Sequence, residues 1–222
     1  MNLRNKAKNI RLLRLFVYKV RMFREKIGYI KGKKNIIINN GIKISTHLCI
    51  KGSNNSICID EKSVLLNCSI KILGNNARIH LKKNCYVEGA TLFIEDNDCS
   101  IIIGENTFIG PSHLAATENK STILIGDDCM LSSNIYIRTG DSHSIIDTEK
   151  KLRINFAQNI VIGDHCWIGE GVKILKGVSL ANDVIVASGA IVTKSFNSNV
   201  LVGGIPAKII KDKVSWDENR LK

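Results

Sequence analysis

His143 is the side chain in this sequence whose type and setting best suit chemistry. It stands in Asp141-Ser142-His143, where a stretch of about 19 residues, 140–158, interrupts an otherwise regular pattern. An imidazole exchanges a proton near neutral pH. A histidine projected away from a core can therefore take a proton from a hydroxyl and later return it. Asp141 and Asp147 flank it: either can fix the imidazole tautomer by accepting its second N–H, and either can equally be solvated loop charge. On these residues alone His143 can also be an ordinary loop histidine. His47 and His80 read as surface or corner residues, and His165 as a solvated corner residue beside Asp164. His113 falls at an inward-type position before the interruption, as a core histidine or one lining a substrate cleft.

The elements that must position these groups are written as a repeat. From Ile162 the chain reads Ile-Gly-Asp-His-Cys-Trp, Ile-Gly-Glu-Gly-Val-Lys, Ile-Leu-Lys-Gly-Val-Ser, and continues in hexads to Val192. An aliphatic residue opens each hexad, and most carry a small or aliphatic residue at the fifth place. That pattern predicts a parallel β-helix, in which each hexad covers one flat side of a prism and coils stack about 4.8 Å apart. Upstream, Ile59, Leu81, Ile103 and Ile125 recur every 22 residues, each followed six residues later by Leu65, Val87, Ile109 or Leu131. These are coils of about 18 residues with about four more at one corner. Ile38, Ile44 and Ile50 mark a looser first coil. The step from Ile125 to Ile162 is 37 residues, so the interruption must loop out of the solenoid, and such loops tend to carry function. Trp167 ends its hexad, where a side chain leaves the core. It needs a partner there: the loop, another subunit or a ligand cleft.

Composition agrees with one solenoid domain, 35–211, preceded by a separate segment, 1–34, and followed by a tail, 212–222. Aromatics are 5% and prolines two, which suits a narrow prism of Ile, Val and small residues. No apolar run approaches a membrane span and no signal-peptide cleavage pattern is present. The seven cysteines form no Cys-x-x-Cys pair and have no histidine partners at metal spacing. Cys85, Cys129 and Cys166 fall at the fifth place of their hexads and read as small core residues, so no metal site is expected and a reduced cytoplasmic compartment is.

Charge is concentrated at one end. Residues 1–34 hold 12 of the 32 basic side chains and one of the 20 acidic ones, which leaves the solenoid nearly neutral. Leu13, Phe16, Val20, Phe23 and Ile27 recur at helical spacing with Arg4, Arg11, Arg14, Arg21 and Arg24 on another side. This predicts a basic amphipathic helix. It either caps the solenoid or another subunit, or holds residues 1–30 against a membrane surface at its inner face. No aromatic stacking platform accompanies the charge, which argues against a nucleic-acid partner.

Over Ile125–Lys211, about 40% of the chain, the sequence resembles the hexapeptide-repeat O-acetyltransferases. This group includes galactoside and maltose acetyltransferases and the enzymes that acetylate capsule, lipopolysaccharide O-antigen or polysialic acid. The likeness rests on Asp141-Ser142-His143 opening a loop, on Trp167 after Ile162-Gly163-Asp164, and on Gly203-Gly204-Ile205-Pro206-Ala207-Lys208 closing the repeats. His143 lies 24 residues before Trp167, similar to the family's spacing. The resemblance implies a mainly β fold, a left-handed parallel β-helix, assembled as a homotrimer with sites shared between subunits. It implies acetyl-CoA as co-substrate, a glycan acceptor, His143 as general base, and Trp167 walling the acceptor and donor cleft. Ser188, Thr193 and Lys194 fall where the family contacts coenzyme A. Lys208 and Lys211 stand where it often has Arg, keeping the charge without the bidentate fork. Glu170 departs from the small hydroxyl residue often found at its place. A small acceptor such as an amino-sugar nucleotide, serine or an antibiotic would use the same base. A non-catalytic scaffold would need no His143. A γ-class carbonic anhydrase-like site would need three histidines at neighbouring corners, a pattern His113, His143 and His165 do not make.

Overall fold

The computed structural model describes residues 28–221. The expected amphipathic helix lies outside the described residues up to 27; at 28–34 the chain is not helical, and Tyr29–Lys31 is a strand paired in parallel with His47–Lys51. Among the described residues all regular structure is strand, and no helix is long and apolar enough to cross a membrane.

The strands stack into three parallel sheets, the faces of a prism. The first face holds seven strands: Ile36–Asn39, Ser56–Ile59, Arg78–Leu81, Ser100–Ile103, Thr122–Ile125, Ile160–Ile162 and Ser179–Leu180. Each coil then turns onto the second face, for example Phe108–Ile109, Met130–Leu131, Trp167–Ile168 and Ile185–Val186. It turns again onto the third, for example Thr91–Ile94, Ser112–Ala116, Ile135–Arg138 and Lys173–Ile174. The aliphatics predicted to open each hexad form the core ladders. Ile59, Leu81, Ile103, Ile125, Ile162 and Leu180 are in register on the first face. Leu65, Val87, Ile109, Leu131, Ile168 and Val186 are in register on the second. All are buried, and each such side chain contributes about 1.5–3 kcal/mol relative to exposure. Cys85, Cys129 and Cys166 are buried among them, and burial pushes the Cys85 thiol up to about 11. These are packing residues and not nucleophiles.

The first coil differs from its expected register. Asn39, not Ile38, pairs with Ile59, and Ile36, Ile38, Ile42 and Ile44 are exposed. A run of three isoleucines, 36–38, carries no period of its own, so neighbouring positions were indistinguishable from sequence.

The edges explain the other residues of the repeat. Asn84, Asn106, Asp128, His165 and Asp183 all take positive φ between the first and second faces. Asparagine and aspartate tolerate that left-handed conformation, and here they link coil to coil. Asn84 Nδ2 donates to Asn106 Oδ1 at 3.0 Å, and Asn106 Nδ2 donates to Asp128 Oδ1 at 2.9 Å. The extra residues of the 22-residue coils sit at the third-to-first edge, for example 95–99 and 117–121. The long loop, 139–159, leaves the prism at this same edge, between Ile135–Arg138 and Ile160–Ile162. Val200–Gly203 and the antiparallel Lys208–Asp212 finish the second face, joined by a turn containing a cis Ile205–Pro206 peptide.

Candidate active site

The loop is a small hairpin, bridged between Ile146 and Arg153, and it carries His143 exposed on its rising limb. The organising side chain is Asn155, which is only 7% exposed. Its Nδ2 donates to Asp141 Oδ2 and to the His143 carbonyl, both at 2.8 Å. Its Oδ1 accepts from the Ile145 N–H at 2.7 Å and from Arg153 Nε at 3.1 Å. Lys176, from the next coil, donates to Asp141 Oδ2 at 2.6 Å and to the Asn155 carbonyl at 2.9 Å. Arg153 reaches the preceding coil through an ion pair with Glu118. The loop is thereby fastened to coils on both sides.

His143 borders a hollow of about 240 Å³ lined also by Glu95, Asp96, Thr117, Glu118, Asp141, Ser142, Ser144 and Arg153. Neither flanking aspartate meets the imidazole in this chain. The Lys176 hydrogen bond, with Asn155 adding to it, holds the Asp141 carboxyl below its ordinary range. Asp147 Oδ1 accepts from the N–H groups of Glu149 and Lys150, both at 2.9 Å, and so closes the hairpin tip.

His113 does not point inward. It pairs with Thr91 and Tyr136 on the outer side of the third face, because the five-residue step from Ile109 to Leu114 makes Leu114 the inward residue. Its ring stacks on Tyr136 at 5.2 Å and meets Phe93 at 6.4 Å. Burial, and secondarily the Arg138 charge, lower its pKa. Arg138 donates to the Tyr136 hydroxyl at 3.3 Å and lies 3.8 Å from Glu95, which also lines the His143 hollow. An aromatic and basic band thus runs along the third face into that hollow.

Trp167 opens its second-face strand and is 41% exposed, as its place in the hexad requires. His143 leaves the prism at the third-to-first edge. One chain therefore puts the two residues on different sides. Trp167 does have a partner that sequence reasoning missed. Trp216 lies 6.0 Å from it at a 44° tilt, stacks on His165 at 4.7 Å, and donates its indole N–H to the His165 carbonyl at 2.9 Å. His165 is therefore not a merely solvated corner. Its Nδ1 lies 2.8 Å from Asp183 Oδ1, which also accepts from the Ser215 hydroxyl at 2.9 Å. The His165 hydrogen bond holds the Asp183 carboxyl low. A second tryptophan 49 residues on, outside the repeat, carried no signal that would place it here.

The other predicted contacts divide among three places. Ser188 is exposed at the second-to-third edge, above Gly169. A Cβ on Gly169 would come within 2.7 Å of the Ser188 nitrogen, so the glycine permits the coils to approach there. Thr193 and Lys194 are exposed after the last third-face strand, with Lys194 Nζ 5.6 Å from the Phe196 ring centre. Lys208 and Lys211 are exposed on the antiparallel closing strand.

Stacking also unites one ligand-type trio that spacing concealed. Cys58 and His80 are cross-strand neighbours, and Asp60 joins them. His80 Nε2 lies 3.0 Å from Asp60 Oδ2, while Arg78 faces its Nδ1 at 3.2 Å. An arginine can only donate, which places the neutral imidazole's proton on Nε2, toward Asp60. Cys58 Sγ donates to Asp60 Oδ1 at 3.3 Å, so the trio is joined through the Asp60 carboxylate.

Comparison with known proteins agrees with this architecture. The family profile described as bacterial transferase hexapeptide (six repeats) matches residues 159–194, and that described as hexapeptide repeat of succinyl-transferase matches 100–138. The chain is 38% identical over 88 residues to a polysialic acid O-acetyltransferase of Escherichia coli O1:K1 / APEC, a match covering 40% of this chain and 29% of that protein. It is 42% identical over 52 residues to the putative lipopolysaccharide biosynthesis O-acetyl transferase WbbJ of Escherichia coli K12, covering 23% and 26%. The chain thus spans less than a third of the length of these two curated relatives. Among solved structures, the polySia-specific acetyltransferase NeuO superposes with a TM-score of 0.80 at 29% identity, covering 86% of this chain and 88% of that one. The polysialic acid O-acetyltransferase OatWY gives 0.67 at 31% identity, covering 87% and 93%. With a likeness that runs almost end to end through a solved relative, the chain belongs to the hexapeptide-repeat acetyltransferase family, and its solenoid is that family's left-handed β-helix.

Proposed function

We propose that the chain is an acetyl-CoA-dependent O-acetyltransferase acting on a sugar hydroxyl of a bacterial surface polysaccharide, capsule or O-antigen, or of its precursor. The observation that carries this is an exposed imidazole, His143, held on a tightly bonded loop beside a polar hollow. His143 takes the proton of the acceptor hydroxyl as its oxygen attacks the thioester carbonyl. The C–S bond breaks, the protonated imidazole returns the proton to the departing thiolate, and an acetyl ester and free coenzyme A leave. Direct transfer suits the chain: five of its seven cysteines are buried, and the half-buried Cys58 thiol is raised by burial and by its hydrogen bond to Asp60, on the first face and away from the loop.

The aromatic and basic band of Phe93, His113, Tyr136 and Arg138 supports an extended acceptor entering the hollow from the third face. Relatives named for polysialic acid and lipopolysaccharide support a polymer or its precursor over a small acceptor. Ser188, Thr193, Lys194, Lys208 and Lys211 are the donor's candidate contacts. Trp167 and His143 meet only across subunits in this reading, as in a homotrimer. An outer second-face ladder supports that association: Ile42, Val64, Tyr86, Phe108, Met130, Trp167, Ile185 and Leu201 are in register along the prism. Seven cysteines with no disulfide among the described residues support a cytoplasmic enzyme, and the 12 basic side chains of residues 1–34 support contact with the inner membrane face.

The test is acetyl-CoA turnover by the whole chain against bacterial polysaccharides, their repeat-unit precursors, simple sugars, serine and chloramphenicol. Ester formation on a polymer or precursor is expected. Turnover restricted to the small acceptors would overturn the glycan reading.

A further inference from the structure

We propose that Asn155 is a positioning residue for His143: its buried amide clamps residues 141–145 and fixes where the imidazole stands. The inference rests on His143 as the base. Within the chain, the loop has almost no apolar core to set its shape, since Ile145, Ile146, Leu152, Ile154 and Phe156 are all exposed. Its conformation must come from polar contacts, and these converge on one side chain. Asn155 uses its full hydrogen-bonding capacity, two donated and two accepted, and its partners at Asp141, His143 and Ile145 bracket the histidine on both sides. Its carbonyl accepts from Lys176 and from Arg153 Nη2 at 3.1 Å, which ties the clamp to the neighbouring coils. A base must be held in a near-attack geometry, and a misplacement of about 1 Å can cost on the order of 10²-fold in rate. Asn155 sits where such a displacement would originate, yet its own side chain faces the loop backbone and not the hollow's mouth.

The experiment is a double-mutant cycle on the full chain, with kcat and KM measured for wild type, Asn155→Ala, His143→Ala and the pair. Asn155→Ala is expected to lower kcat about 10- to 100-fold while leaving KM for acetyl-CoA within about twofold. In the His143→Ala background it should cost less than about twofold, because there is no base left to misplace. Equal losses in both backgrounds would overturn the proposal, since a general structural defect multiplies. Asn155→Asp is the size-matched second variant. It turns the two donated bonds into repulsions against Asp141 and the His143 carbonyl, so it should lose at least as much as the alanine. An Asn155→Asp enzyme with wild-type kcat would overturn the clamp. A His143→Ala variant of undiminished rate would instead remove the base reading itself, and the cycle separates that failure from the failure of Asn155.

Discussion

At the scale of the residue, the site is a set of hydrogen bonds chosen by valence. Asp141 is the clearest case. Its two donors, Lys176 Nζ and Asn155 Nδ2, stabilise the carboxylate and depress its pKa. A group whose pKa is lowered by folding contributes stability that is full above its unfolded value, near 3.9, and is lost as pH falls through the folded value. The latch between loop and solenoid should therefore hold throughout the neutral range and open only below about pH 4. Amide exchange across residues 141–155 measured from pH 7 to pH 3 checks this, and loop protection fading near pH 6 would contradict it. The exposed place of His143 on the loop was legible in the sequence, because it begins an interruption in a periodic pattern. Asn155 was not: a polar residue in a polar loop looks like its neighbours until Asp141, His143 and Ile145, 10 to 14 positions away, fold around it.

At the scale of the element, the hexads specify the ladders and the ladders specify the edges, so nearly all of the coil starts could be read directly. His113 faces outward where a strict six-residue step predicts inward, because a step shortened to five residues turns the following side chains over. The tail after Lys208–Asp212 packs back along the solenoid. The Val214 N–H donates to the Asn199 carbonyl at 3.0 Å, Ser215 bonds Asp183, and Trp216 rests on His165 beside Trp167. Ring stacking and the indole hydrogen bond together are worth about 1–2 kcal/mol of local stability. Because the chain holds just two tryptophans, both at this place, fluorescence reports on it directly. Trp216→Ala should shift the emission of Trp167 to the red as water reaches it, with the circular dichroism of the solenoid unchanged. An unshifted spectrum would contradict the packing of Trp216 over Trp167.

At the scale of the whole molecule, the repeat makes a nearly one-dimensional object in which each coil is held by its neighbours. The change from 22-residue to 18-residue coils coincides with the loop, and both happen at one edge. A single edge therefore carries the added residues, the His143 hollow and the end of the third-face band, while Trp167 faces away on the second face. The proposed homotrimer follows from this division, and on the second face Ile42, Tyr86, Phe108 and Trp167 are the exposed members of the outer ladder. The left hand of the helix could be had only through resemblance, because a hexapeptide period is the same in a helix of either hand. The proposed transfer depends above all on His143. The direct measurement is kcat for acetyl ester formation by wild type and His143→Ala, on a glycan acceptor the wild type uses, with the variant's fold verified by circular dichroism. The account predicts a loss of about 10²–10⁴-fold in a folded protein. A folded His143→Ala variant that transfers acetyl groups at the wild-type rate would contradict it.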